Sequence, residues 1–165
     1  MKAKTKTVVY GAIIAAMYTV LTVFVSAFGL ANGAIQVRIS EALTILPYFT
    51  PYAILGLFAG CLISNIITGC VIWDTIFGSI ATLIGAVITY YLGRLPFKNS
   101  KWLAPLGPIA ANTAIIPIIL SKVYGAKEAI WFLCVTIGIG EVLSCGVLGM
   151  ILLVSLEKHA DRIFK

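Results

Sequence analysis

"VRISEALTILPYFTPYAILGLFAGCLISNIITG", residues 37 to 69, is apolar enough to enter a membrane, but Pro47 and Pro51 leave open one long kinked helix or two short ones. The rest of the chain supplies the means to decide. With 61% hydrophobic and 11% charged residues over 165 positions, and a mean hydropathy of +1.06, it lies outside the balance of soluble domains and has room for a single domain, residues 1–165. Apolar runs at 8–28, 71–92, 102–120 and 129–156 each reach the roughly 20 residues that a helix needs to cross about 30 Å of hydrocarbon. Such unbroken runs predict helices, since a barrel strand alternates. The basic start and the small residues Val25, Ser26 and Ala27 resemble a signal peptide, but an apolar stretch of about 21 residues exceeds the 7 to 15 of a signal core. It is therefore expected to be the first membrane helix.

Charge decides the ambiguous stretch. Two crossings between 37 and 69 give six in all, and place Lys2, Lys4, Lys6, Arg94, Lys98, Lys101, Lys158, Arg162 and Lys165 on one side, against Arg38, Lys122 and Lys127 on the other. One crossing gives an indecisive seven against five. Basic residues accumulate on the cytoplasmic side, so the expectation is an all-α membrane protein of six helices with both termini cytoplasmic and a tight turn at Pro47–Pro51. The second helix, about 41–50, then covers only about 15 Å as an α-helix. Either it extends back through Arg38, or "GLANGAIQVR" before it enters the membrane as non-helical backbone, which is tolerated only inside protein or beside a water-filled cavity. Interrupted apolar segments of this kind point to a transporter's binding site.

On this topology the polar residues of the apolar segments fall in the outer half or the middle. Glu41 and Asp74 come at outer helix ends, Asn65 about 6 Å deep, Asn112 about 12 Å and Glu141 about 18 Å, near the midplane. An ionisable residue at the centre of a membrane helix costs about 2.5 to 3.5 kcal/mol on the mildest scale, so these groups need partners. A purely architectural account pairs Arg38 with Glu41 across one helical turn, lets Asp74 cap its helix beside Trp73, keeps Glu141 neutral, and makes Asn65 and Asn112 interhelical glue. The functional account gathers Gln36, Arg38, Glu41, Asn65, Trp73, Asp74, Asn112 and Glu141 around an outward pocket suited to a ligand rich in N–H donors. On the first helix, Gly11, Ala12, Ala15 and Ala16 form a small-residue pattern that permits close approach of another helix, from a partner or from the same bundle, as do Gly56 and Gly60.

Several classes are excluded. No glycine precedes a lysine, so there is no P-loop for ATP. The single histidine, His159, lies in the charged tail, which removes Ser-His-Asp chemistry and histidine-ligated metal from the apolar segments. Glu41, Asp74 and Glu141 stand on three helices without paired spacing, so neither metal nor cofactor is expected. Cys61, Cys70, Cys134 and Cys145 form no C-x-x-C pair and are expected to be packing residues. The formal charge of +6 resides in loops and tails without interleaved aromatics, which suits membrane topology and not nucleic acid.

Residues 37–67 resemble the hallmark stretch of the queuosine-precursor transport family, and the resemblance extends to "AIIAAMY", to "WDTIFGSIATLIGA" and to nearly the whole chain. These proteins are substrate-binding S components of energy-coupling factor transporters. The resemblance implies a six-helix protein that takes queuine or a deazaguanine precursor from outside, with a scaffold transmembrane protein and two cytoplasmic ATPases as partners. It also implies that small residues on the first helix, here Gly11, Ala12, Ala15 and Ala16, contact the scaffold. A guanine-like edge presents two N–H donors to one carboxylate, an aminomethyl arm adds a cation for a second, and Trp73 or Trp131 would stack on the ring. Arg38 and Glu41 would then mark the pocket's outer rim. Competing expectations are an S component for another heteroaromatic vitamin, a self-sufficient transporter with Glu141 as proton carrier, and a purely structural membrane subunit.

Overall fold

A computed structural model of the chain describes residues 3–29, 38–96 and 99–164. Four helices are long and apolar enough to cross a membrane: Thr5–Ala27, Ile72–Leu92, Ser100–Lys122 and Ile130–Glu157, close to the four runs expected from hydropathy. We label α1 Ala3–Ala27, α2 Tyr52–Ile67, α3 Ile72–Leu92, α4 Leu106–Lys122 and α5 Ile130–Glu141. From α5 the chain continues as a π-helical segment, Val142–Leu148, into α6, Gly149–Glu157, and ends in the short α7, Ala160–Ile163. Among the described residues there is no strand.

The ambiguous stretch resolves into two segments. Ile39–Tyr48 is a 3₁₀-helix, and α2 follows after a turn at Phe49–Pro51. Two expectations are corrected here: Pro47 lies inside the 3₁₀-helix, so only Pro51 belongs to the turn, and the second helix is not an α-helix. Ten residues at the 3₁₀ rise of about 2.0 Å cover roughly 20 Å, a third more than the α-helical estimate. Runs of 3₁₀-helix this long are uncommon, because the hydrogen-bond geometry is poor. Burial sustains this one: Ser40 through Pro47 are all buried, against α1, α2, α3, α6 and the π-helical segment. Strained backbone is thus kept away from lipid, as the lack of competing water inside a bilayer requires.

Consecutive segments pack side by side, α1 on α2, α2 on α3, α3 on α4 and α4 on α5. Glycines set the closest approaches. A Cβ on Gly85 would lie 2.7 Å from Pro108 Cα, and one on Gly60 would lie 2.8 Å from Tyr18 Cβ, so neither α3–α4 nor α1–α2 has room for a larger residue there. Contacts collect at two ends. At one, Tyr10 reaches the Ile163 carbonyl, Phe49 stacks on Phe164, Tyr48 lies against Gly93, and Lys101 pairs with Glu157. At the other, Arg38 meets Asn65, and Asp74 meets Tyr124. The second, here the Arg38 end, holds the candidate site.

Candidate functional site

Three segments begin at the Arg38 end and run away from it, the 3₁₀-helix, α3 and α5, and each carries one carboxylate: Glu41, Asp74 and Glu141. Glu41 and Asp74 occupy first turns, where the positive end of the backbone dipole favours an acid. Asp74 forms no capping bond; its carboxylate accepts a hydrogen bond from the Tyr124 hydroxyl at 2.9 Å. The same hydroxyl oxygen accepts from the Val71 N–H at 3.2 Å, which ties the α2–α3 turn to the segment after α4. Burial, together with the neighbouring Asp74 carboxylate, pushes the Tyr124 phenol up to about 12, so it remains a donor at neutral pH.

Between these elements lies a cavity of about 360 Å³, lined by Arg38, Asp74 and Tyr124, by Thr22 and Ser26 of α1, by Thr68 and Cys70, and by apolar Val25, Ile116 and Leu120. Its volume falls in the range of about 300 to 1,000 Å³ usual for small-molecule sites. One guanidinium and one carboxylate share its wall. Arg38 is not paired with Glu41 across a helical turn: its Nη2 donates to Asn65 Oδ1 at 3.0 Å, and its backbone N–H to Ser144 Oγ at 3.1 Å. The Arg38–Glu41 ion pair considered from the sequence is therefore absent, because a side chain on α2 and one on the π-helical segment hold the arginine at the cavity wall.

Below the cavity the two glutamates come together. Glu41 is 1% exposed and Glu141 7%, and a carboxylate oxygen of each lies with Cys145 Sγ inside a cluster whose atoms are all within 4.8 Å of one another. The Tyr18 hydroxyl donates to Glu41 Oε1, while Glu41 Oε2 is buried with no hydrogen-bond partner. Cys145 Sγ lies 3.2 Å from Glu141 Oε2 and 3.4 Å from the Glu41 carbonyl, and Asn112 is in hydrogen-bonding reach of Glu141. The expectation that the carboxylates lack paired spacing holds for the sequence but fails in space, since the 3₁₀-helix and the α5–π junction carry Glu41 and Glu141 to the same place.

Of the residues expected at the site, Arg38 and Asp74 line the cavity, Asn65 holds Arg38, and Glu41, Asn112 and Glu141 sit beneath it. Trp73 is not brought in: it is 53% exposed and stacked on Phe77. Trp131 is 71% exposed beside Phe132, so Tyr124 is the aromatic residue of the cavity wall. Gln36 lies outside the described residues. Tyr18, Thr22 and Tyr124 were missed, because a hydroxyl in an apolar helix or a polar loop carries no signature until the fold places its partner. Cys145, expected to be a packing residue, touches both glutamate residues. Gly11 and Ala15 face Gly56 and Gly60 within the bundle, whereas Ala12 and Ala16 are exposed along an apolar groove between α1 and α2.

The family model of the QueT transporter matches residues 8–158. The chain belongs to the QueT transporter family. A curated relative, the queuosine precursor transporter QueT of Lactococcus lactis subsp. cremoris (strain MG1363), is 36% identical over 83 residues, which is 50% of this chain and 48% of that protein. The chain thus spans about half the length of the curated relative it matches. No solved structure matches it. Membership in a transporter family, together with four helices of spanning length, makes this a multi-pass protein of the plasma membrane.

Proposed function

We propose that the chain is the substrate-binding S component of an energy-coupling factor importer, which captures queuine or a deazaguanine precursor of queuosine from outside for uptake driven by two partner ATPases. The observation that carries this is the cavity of about 360 Å³ with Arg38 and Asp74 on its wall. Asp74 is placed to accept the two N–H donors of a guanine-like edge, and Arg38 to donate to its carbonyl oxygen. The gathering of Tyr10, Gly93, Lys101, Glu157 and Phe164 at the end away from the cavity supports six crossings with the termini cytoplasmic and the cavity facing outward. The groove flanked by Ala12 and Ala16 supports a scaffold partner on α1, whose apolar window is only 28% buried against 44–50% in the other three long helices.

The test is saturable binding of radiolabelled queuine and deazaguanines to the purified full chain. Asp74→Asn is expected to weaken binding about 10- to 100-fold, the worth of hydrogen bonds to a charged group at roughly 1.5 to 3 kcal/mol. Absence of saturable binding by any of these ligands defeats the proposal. The buried Glu41–Glu141 pair favours one second reading, a self-sufficient proton-coupled carrier. Uptake into proteoliposomes that lack ATPases, driven by a pH gradient, would establish it.

A further inference from the structure

Helix α4 divides into a clamped half and a half that borders the cavity. Towards its start a Cβ on Gly107 would lie 2.6 Å from the Gly85 carbonyl oxygen, and one on Gly85 would lie 2.7 Å from Pro108 Cα, so this half is pressed onto α3 without slack. Towards its end Ile116 and Leu120 line the cavity, and Ile116 passes Gly78 of α3 at an ordinary 3.9 Å from where a Cβ would stand. Between the halves the backbone ladder is interrupted. Pro117 lies inside α4 and has no N–H, so the Thr113 carbonyl, four residues earlier, lacks its helical donor. The Thr113 hydroxyl is also buried without a partner. Opposite it, Gly138 of α5 leaves room, since a Cβ there would stand 3.6 Å from Thr113 Cγ2 and Oγ1. Sharp helix bends arise at prolines, and a hinge is a few residues that absorb a change in φ and ψ. Residues 113–117 have the missing bond and the space that a hinge needs.

The far end of this hinged half is tied down. The Val123 and Tyr124 N–H groups both reach the Ile119 carbonyl, at 2.8 and 3.3 Å, the Ala126 N–H reaches the Leu120 carbonyl at 3.0 Å, and Gly125 turns the chain at φ 66°. This left-handed closure fixes Tyr124 to the end of α4, so the tyrosine moves with the helix. Its hydroxyl crosses to Asp74 at 2.9 Å and to the Val71 N–H at 3.2 Å, both on the α2–α3 side. Asp74 and Tyr124 line the cavity, so the tie runs along its wall. Tyr124 is 45% exposed, which lets water compete for these bonds and makes the tie reversible.

We propose that residues 117–124 form a door to the cavity, which swings about residues 113–117 away from the α2–α3 turn and is latched to Asp74 and Val71 by the Tyr124 hydroxyl. This rests on the reading of the cavity as the substrate site, and adds how a ligand is admitted and kept. A carboxylate offers about four acceptor positions, so Asp74 has places for the N–H donors of a bound base while it still holds the latch. The latch therefore closes on the empty and on the filled cavity alike. A barrier shared by both states slows entry and exit together and leaves their ratio, the affinity, to the walls of the cavity.

The experiment measures association and dissociation rates of radiolabelled queuine on the purified full chain by rapid filtration, with radiolabelled 7-aminomethyl-7-deazaguanine in its place should queuine not bind. Pro117→Ala returns a donor to the Thr113 carbonyl and stiffens the hinge. Both rates are expected to fall about tenfold, the equivalent of one hydrogen bond of about 1.4 kcal/mol, with their ratio within about threefold of the wild-type value. Tyr124→Phe keeps the ring and removes the latch, and both rates are expected to rise about tenfold. A tyrosine that only touches the ligand would speed dissociation and leave association unchanged, and one that only braces the bundle would move neither rate. Either pattern in Tyr124→Phe, or wild-type rates in Pro117→Ala, overturns the inference and leaves the proposed function standing. Should Pro117→Ala not fold, the two rates of Tyr124→Phe decide. Failure of both compounds to bind the wild-type protein overturns the proposed function and the inference with it.

Discussion

Replacing Gly60 by alanine probes the contact between α1 and α2 and, through it, the site. The new Cβ would lie 2.8 Å from Tyr18 Cβ, 2.9 Å from the Ala15 carbonyl oxygen and 3.0 Å from Ala15 Cα. Carbon atoms in comfortable contact stand about 3.5 to 4.0 Å apart, so the helices must separate by about 1 Å. All three obstructions are backbone atoms or a Cβ bound to one, and no rotamer change relieves them. Overpacking of this kind costs about 1 to 3 kcal/mol. Alanine returns up to about 1 kcal/mol through its helix propensity. The displaced residue is Tyr18, the donor to Glu41, and a buried acceptor deprived of its donor costs a further 1 to 3 kcal/mol or so. A net loss of about 2 to 3 kcal/mol lowers the melting temperature by roughly 5 to 10 °C for a chain of this length. Gly138→Ala is the control, because its Cβ would meet Thr113 at an ordinary 3.6 Å, and it is expected to leave the melting temperature unchanged or raise it slightly. The assay is the fraction of monodisperse protein remaining after heating in mild detergent. A Gly60→Ala protein as stable as the wild type, or a Gly138→Ala protein equally impaired, would refute the account of α1–α2 packing.

Tyr18→Phe removes only the hydroxyl that serves Glu41, and is expected to destabilise by about 1 to 3 kcal/mol in the same assay while leaving the α1–α2 contact intact. Tyr124→Phe unties the 71–74 and 122–125 segments and should raise the ligand off-rate more than it lowers the melting temperature; the reverse pattern would make the tyrosine a scaffold residue. Because the Tyr124 phenol is raised above its ordinary value, its bond to Asp74 is fully present below pH 10 and is lost as pH rises through about 12, which a titration of tyrosinate absorbance against Tyr124→Phe can follow. Cys70 lines the cavity, whereas Cys61 and Cys145 are buried, so a maleimide should label Cys70 in preference to those two, and bound ligand should slow that labelling. Equal labelling of Cys70 with and without saturating ligand would place the ligand elsewhere.

Much of the architecture was legible, because a membrane makes hydropathy a direct record of burial. The four long apolar runs appear as helices with ends within a few residues of those expected, and the charge tally separated 37–69 into two segments where the structure places its turn. The backbone geometry of the first of those segments was not legible: hydropathy is blind to the difference between 3₁₀ and α, which changes the rise per residue and the face each side chain takes. That difference governed the site. Arg38 and Glu41, spaced as an ion pair on an α-helix, instead reach Asn65 and Tyr18. Glu141 drew attention as an acid at membrane depth, but its partner Glu41 lies 100 positions earlier, and no local pattern announces so distant a pair. The flat rings of Trp73 and Trp131 suit a stacking role, yet an exposed aromatic at a helix end serves a membrane interface equally well.

The two departures from α-helical geometry meet at the carboxylates, and each makes the other possible. The 3₁₀-helix is overwound and directs polar groups of Ser40, Glu41 and Thr44 into the bundle within two turns. The π-helical segment beside it is underwound, with Ser144 and Cys145 buried against that helix. Ser144 Oγ accepts the Arg38 N–H, Cys145 Sγ contacts the Glu41 carbonyl and stands 3.4 Å from Thr44 Oγ1, and Thr44 Oγ1 donates to the Glu41 carbonyl at 2.6 Å. Backbone groups at the start of the overwound helix are therefore partnered by side chains that the wider turn presents. A regular α-helix from Ile39 would still leave the Arg38 N–H without an acceptor of its own, but it would engage the Glu41 carbonyl with the N–H four residues on and turn Glu41 to another face. π-Helical segments recur at functional sites because they reposition side chains while leaving the helix on either side intact. Here the segment follows directly on Glu141 and ends at Leu148, and α6 resumes at Gly149, whose missing side chain admits Ile45 of the 3₁₀-helix at 3.1 Å from where a Cβ would stand. The carboxylate pair is thus a product of two irregular segments in register, and restoring regular helix to either one would be expected to separate Glu41 from Glu141.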